Sequence, residues 1–314
     1  MHKLCQDILS NVNAVIVGKE SVVTRVLMAI LAGGHVLLED VPGVGKTTLT
    51  LAFAITLGLD SRRVQFTSDS VPSDIIGFSV YDKQSAEFSY RPGAIMTNML
   101  LADEINRTSS KTQSALLEAM EESNVTVDGV TYPLPQPFIV LATQNPAGSA
   151  GTQMLPNSQL DRFLIKLRIG YPDFESQINI LRDRHEEDPL DKLAPVTTPG
   201  ALIGMIKDTS AVFVSDAVYK YITSLAEATR SHPLVQLGVS PRGALALCRM
   251  AKAGAMIAGR DFVIPEDVCD VFLDVCSHRL ELGAKARLME MSAYGVLKEV
   301  LRDVGMPVVK EALL

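Results

Sequence analysis

The chain has 314 residues, enough for two domains and a large buried core. Hydrophobic residue types make up 47% of it and the mean hydropathy is +0.20, which leaves apolar surface for subunit contacts. A net charge of −7 sets up a global field that repels polyanions, so nucleic acid is not expected as the main partner.

From Lys3 to about His185, short apolar runs alternate with helical patterns, which reads as α/β. Ile16-Val17-Gly18-Lys19 forms a turn ahead of a helix whose face is Val22, Val23, Val26, Leu27 and Ile30, closed by Gly33-Gly34. Strands are expected at His35–Glu39, Val64–Thr67, Met99–Ala102, Phe138–Thr143 and Leu164–Leu167. Two stretches read as hairpins. Gly77 to Arg91 turns near Lys83–Ala86, and Val125 to Tyr132 turns at Asp128-Gly129, a strong two-residue signal.

The first strand runs into Asp40-Val41-Pro42-Gly43-Val44-Gly45-Lys46-Thr47-Thr48, a glycine turn that opens a helix. Strand, turn, Lys-Thr and helix together describe a phosphate-binding loop. The backbone from Pro42 to Thr48, through the N–H groups of Gly43 to Thr48, can close around a triphosphate, with the helix's positive dipole end facing the anion. Lys46 would neutralise the outer phosphates, and Thr47 would supply a hydroxyl to Mg²⁺. Asp40 stands where the usual pattern has glycine, whereas Gly43 and Gly45 flank the phosphate.

The run Met99-Leu100-Leu101-Ala102 ends in Asp103-Glu104, two carboxylates at the C-terminal edge of a buried strand. Asp103 would hold Mg²⁺ and Glu104 would polarise the attacking water. A third apolar strand ends in Thr143-Gln144-Asn145-Pro146, where Asn145 could bridge that water and a γ-phosphate oxygen. Lys111, Glu118, Glu121 and Glu122 read as a helix surface, one that could face a neighbouring subunit.

The charged segment Arg182 to Lys192, followed by Pro195 and Pro199, reads as a linker with His185 solvated in it. Beyond it the pattern is helical almost throughout. Ala217, Val218, Tyr221, Ile222 and Leu225 form one face, and Ser240-Pro241 starts a further helix. Arg242 falls in that helix's first turn, where a cation opposes the macrodipole unless an anion faces it. Cys5, Cys248, Cys269 and Cys276 show no CxxC spacing and read as reduced thiols. No secretory signal stands at the N-terminus and no run reaches roughly 18 uncharged apolar residues, so a cytoplasmic location without membrane insertion is expected. His232 and His278 lack metal-ligand spacing, and no GxSxG elbow or Cys–His pair is present.

The order Gly-Lys-Thr, Asp-Glu, Asn and then arginines resembles the AAA+ ATPases. Gln65-Phe66-Thr67, Pro72-Ser73-Asp74-Ile75, Arg91-Pro92-Gly93, Leu101 to Arg107, Lys111 to Met120 and Ala142 to Pro146 resemble the MoxR branch, as do Leu160-Asp161-Arg162-Phe163 and Ser240 to Ala244. The resemblance spans roughly residues 3 to 305. It implies an α/β P-loop domain with a parallel sheet over 1–190, carrying hairpin insertions at about 77–91 and 125–135. A small all-helical lid over 191–314 would follow. It also implies a hexameric ring with ATP sites between subunits, Mg²⁺-dependent hydrolysis, and chaperone-like remodelling beside von Willebrand factor A domain proteins. Arg162 then takes the place of the arginine inserted into a neighbour's site, with Arg107 as its rival, and Arg242 that of the second sensor. Ile16-Val17-Gly18-Lys19 resembles the loop that lies on adenine. Neighbouring branches leave a metal-chelatase ATPase subunit and a nucleic-acid motor as alternatives. A nucleotide-gated scaffold without turnover is a further alternative, against which Glu104 speaks.

Overall fold

The computed structural model describes residues 2–41, 43–83, 86–145, 155–183 and 188–307. Pro42, Pro146 and His185 therefore lie outside the described residues. Two helices, α1 (Lys3–Asn13) and α2 (Glu20–Leu31), precede the first strand, β1 (Val36–Glu39). Gly33 ends α2 in the left-handed region at φ +62°, and the Gly34 N–H returns to the Ala29 carbonyl at 2.9 Å. The glycine turn then leads into α3 (Lys46–Leu57) and β2 (Ser61–Gln65).

A short helix, α4 (Pro72–Ile76), introduces the antiparallel hairpin β3 (Gly77–Asp82) and β4 (Glu87–Pro92). Next come β5 (Met99–Asp103), a 3-10 turn at Ile105–Arg107 and α5 (Ser110–Glu122), capped by the Ser109 hydroxyl. A second hairpin, β6 (Asn124–Val127) and β7 (Val130–Pro133), turns at Asp128 and Gly129, both with positive φ as a two-residue hairpin loop requires. The domain finishes with β8 (Ile139–Gln144), α6 (Asn157–Leu160), β9 (Ile165–Leu167) and α7 (Phe174–Asp183).

Five parallel strands form the sheet in the order β2-β5-β8-β1-β9. Alternation along the buried strands sends residues to two cores. Leu38, Leu101 and Leu141 join the cluster containing α1 to α3, whereas Leu37, Leu100 and Val140 join the one beneath α5 and the hairpins. Each fully buried leucine contributes about 1.5–3 kcal/mol relative to exposure.

Strand β2 lies three residues earlier than the expected start at Val64. Edge position explains this: Ser61, Arg62 and Arg63 pair with β5 on one side only and leave their side chains toward solvent. The charged segment after Arg182 is not all linker, because α7 continues to Asp183 and Pro189–Lys192 forms a 3-10 turn.

The remaining helices are α8 (Pro199–Ala211), α9 (Asp216–Ser231), α10 (Pro241–Ile257), α11 (Pro265–Cys276), α12 (Ala284–Leu288) and α13 (Ala293–Asp303). One short antiparallel pair, β10 (Val235–Leu237) with β11 (Glu281–Leu282), interrupts them. Its partners lie far apart in sequence and are too short to carry a period-2 signal.

This helical unit packs on the first cluster rather than standing apart from it. Arg25 of α2 forks onto both Asp270 oxygens at 2.6 and 2.7 Å, and its Nε meets Asp274 at 3.0 Å. Arg249 of α10 donates to the Ala32 and Gly33 carbonyls at the end of α2. No described helix is long and apolar enough to cross a membrane.

Candidate nucleotide site

The C-terminal ends of β1, β5 and β8 converge where a parallel sheet presents ligands. Gly43 and Gly45 hold φ of +86° and +93°, so the turn needs glycine for its backbone conformation. Among the described residues a Cβ built on either would meet nothing within 4 Å, so the loop forms an open cradle there. Val44, Thr47 and Thr48 are half-buried around it, and α3 starts at Lys46 with its dipole aimed at that space.

Lys46 is buried and its Nζ donates to the Asp40 carbonyl at 2.9 Å. Burial pushes its pKa down, while the charges of Asp103, Asp40 and Glu104 oppose that fall. The acid at position 40 is structural, since Oδ1 accepts the Val41 N–H at 2.9 Å and Oδ2 the Gly170 N–H at 2.6 Å. This carboxylate fastens the loop to the chain leaving β9.

Asp103 and Glu104 do separate jobs because the chain turns between them. Glu104 sits in the left-handed region at φ +59°, which lifts its carboxylate away from the strand. Asp103 accepts from the Thr143 hydroxyl at 2.6 Å and from Arg63 at 2.7 Å. Glu104 accepts from Arg107 at 2.9 Å and from the Asn145 amide at 3.1 Å. The Arg107 hydrogen bond is the main reason its carboxyl stands below the usual range, with Asn145 adding to it and burial opposing.

Asn145 is fixed by a reciprocal pair with Asn106, amide to carbonyl in both directions at 3.2 Å. Its own side-chain oxygen is buried and has no hydrogen-bond partner among the described residues. The open glycine cradle, this orphan oxygen and the oxygen donors Thr47 and Asp103 fit a nucleotide triphosphate with a hard divalent cation. Beside the cradle lies an apolar hollow lined by Ile16, Val17, Val44, Thr48, Ile169 and Ile180.

Arg162 and Arg242 are elsewhere. Both border a cavity of about 580 Å³ that is also lined by Gly34, His35, Pro137, Phe138 and Leu164. Those residues precede β1, β8 and β9, so the cavity lies at the N-terminal edge of the sheet. β1 alone puts about 13 Å between the two edges. Within one chain, Lys46 and Arg242 therefore do not reach the same nucleotide: the lid docks on α2 and β9, and that brings α10 to the opposite edge. Arg107, in contrast, stands in the same site as Glu104.

Thr143, Arg63, Asn106 and Glu121 contact the site residues, although the sequence pattern assigns them no role there. A polar residue inside an apolar strand run was the available signal for Thr143. The other three become neighbours only through sheet order and helix packing.

Residues 35–165 match the profile of the ATPase family associated with various cellular activities (AAA), and residues 227–299 match an AAA lid domain. The chain is 47% identical over 313 residues to the uncharacterized protein YeaC of Bacillus subtilis, covering 100% of this chain and 98% of that one. It is 41% identical to Chaperone MoxR1 of Mycobacterium tuberculosis, covering 94% and 80%. A crystal structure of a candidate ATPase from Cytophaga hutchinsonii superposes with a TM-score of 0.89 at 36% identity, covering 97% and 95%. Fold, site and lid define a P-loop ATPase of the AAA+ class. Within that class, the chain belongs to the MoxR family.

Proposed function

We propose that the protein hydrolyses ATP to ADP and phosphate with Mg²⁺ in a ring of six copies, and that turnover remodels or matures a partner protein. The unit over 1–190 binds the nucleotide and the unit over 191–314 is its lid. Backbone from Pro42 to Thr48 cradles the phosphates, and Lys46 neutralises their outer oxygens. Thr47 and Asp103 would hold Mg²⁺, which would supply charge neutralisation to the phosphates. The hollow beside Ile16 and Val17 takes the adenine face.

Glu104 accepts the proton of the attacking water, and Asn145 orients that water with its unpartnered oxygen. The observation that carries this reading is the Asn145 amide on Glu104 at 3.1 Å, with the Glu104 charge acting on Lys46 at the start of α3. Arg162 and Arg242 complete the site from a second copy, because within one chain the sheet separates them from the cradle. The engagement of Arg107 with Glu104 favours Arg162 as the arginine that crosses between subunits.

The two hairpins carry the change to a bound protein. Tyr90 of β4 stacks on Tyr132 of β7 at 4.0 Å between centroids, so the hairpins are linked to each other. Phe78, Tyr81 and Phe88 are exposed along the first one. The client is a protein, a von Willebrand factor A domain protein among the candidates; the chain works in the cytoplasm, and no nucleic acid is required. The mycobacterial relative, Chaperone MoxR1, bears a name in keeping with that role.

Complementation tests the shared site. Lys46→Ala and Arg162→Ala should each release almost no phosphate alone. Mixed, they should recover part of the activity, because some interfaces then join an intact loop to an intact Arg162. Two variants that co-assemble and stay inactive would show that Arg162 acts within its own chain or is structural, and does not act across the interface.

A further inference from the structure

Glu121 holds two arginines at once. Its Oε1 is 2.8 Å from Arg242 Nη2 and its Oε2 is 3.3 Å from Arg162 Nε. One arginine comes from the α/β unit and the other from the lid, so a single carboxylate spans the two. The remaining cations of the cavity are differently engaged. Arg279 is bound to Asp161 and to the carbonyls of Phe163 and Leu164, and Arg249 to those of Ala32 and Gly33.

Position along the helices makes the arrangement costly unless the charges meet. Glu121 lies in the last turn of α5, where an acid faces the negative end of the dipole. Arg242 lies in the first turn of α10, where a cation faces the positive end. Each charge opposes its own helix and is offset by the other. All three side chains remain partly exposed, at 30%, 45% and 38% for Arg162, Arg242 and Glu121, so an incoming anion can reach them.

We propose that Glu121 is a positioning residue that pairs Arg162 with Arg242 in the free subunit and yields both to the triphosphate of a neighbouring copy. This rests on the cross-subunit role of Arg162 given above. A triphosphate carries several negative charges and more acceptor oxygens than one carboxylate, so it wins both guanidiniums when it arrives. Glu121 thereby sets the concentration at which copies engage one another's nucleotide.

The test follows ATPase activity per subunit against protein concentration for the full chain, Glu121→Gln and Arg162→Ala, with ATP and Mg²⁺ saturating. The amide keeps the shape and removes the charge. Glu121→Gln should reach half-maximal activity at a concentration on the order of fivefold lower than the parent. Sedimentation without nucleotide should show no such gain, because two unpaired arginines do not attract a second copy. A merely structural loss moves the half-maximal point the other way. If Arg162→Ala is inactive and Glu121→Gln shows an unchanged or raised half-maximal concentration, the role of Glu121 is overturned and the shared site stands. If Arg162→Ala keeps full activity, the shared site itself falls.

Discussion

The Thr143 hydroxyl donates to Asp103 Oδ1 at 2.6 Å while accepting the backbone N–H of Glu104 at 2.8 Å. One buried hydroxyl on β8 thus fixes both acids at the end of β5, holding the first in place and the second in its left-handed turn. Thr143→Val preserves shape and removes both bonds. It should cost about 1–3 kcal/mol in stability, seen as a lower melting temperature, with a larger proportional loss of ATPase. Full activity in a folded Val variant would show that Glu104 holds its conformation unaided.

Glu104→Gln should retain ATP binding and lose turnover by on the order of 10²–10⁴-fold, because an amide cannot take the water proton. Binding by fluorescence with a parallel phosphate-release assay separates the two effects. Hydrolysis that persists at the parent rate would remove Glu104 from the base role.

Arg107 is the main cause of the lowered Glu104 pKa, and the sign of its effect on activity follows. A base with a lowered pKa stays ionised further into acid, so the acid limb of turnover lies at low pH. Arg107→Ala removes the pairing and should move that limb upward. A pH–rate profile of both proteins measures the difference; coincident limbs would assign the acid limb to another group.

Asp40 replaces the customary glycine and is used. Its two oxygens cap the N–H groups of Val41 and Gly170. Asp40→Gly should therefore lower stability by about 1–3 kcal/mol and weaken ATP binding, although it restores the commoner pattern. Thermal melts with and without ATP decide this, and a more stable Gly variant would contradict the capping role.

His35 is buried and neutral, with its pKa pushed down to about 4 mainly by burial, Nδ1 accepting the Val140 N–H and Nε2 donating to the Met120 carbonyl. The unfolded chain takes up its proton at about pH 6.5, well above the folded value. Stability from this group is complete above about pH 6.5 and is lost progressively as pH falls toward 4. His278, also buried and shifted down, adds to the same slope. His35→Gln should flatten the fall in melting temperature between about pH 7 and 5, and an unchanged slope would show that His35 is not its source.

Much of the domain was readable from local pattern. Three apolar runs became the central strands β1, β5 and β8 because burial on both faces demands continuous hydrophobic sequence, as in Val36 to Leu38 and Ile139 to Ala142. The polar edge strand at Ser61 to Arg63 escaped because one open side lifts that demand. Glu39 shows a different limit. It is buried and paired with Arg168 at 2.7 Å and with Gln144 at 2.8 Å, contacts that exist only because β1 lies between β8 and β9.

By itself, the order of residues determined the glycine cradle, the paired acids at a strand end and the helical character of the second unit, since each depends on neighbours within a few positions. Only the tertiary structure decided that Arg162 and Arg242 share Glu121 at the far edge of the sheet. The reason is physical: strand order and the docking of α10 on α2 join residues 121 positions apart, and no local periodicity encodes that distance.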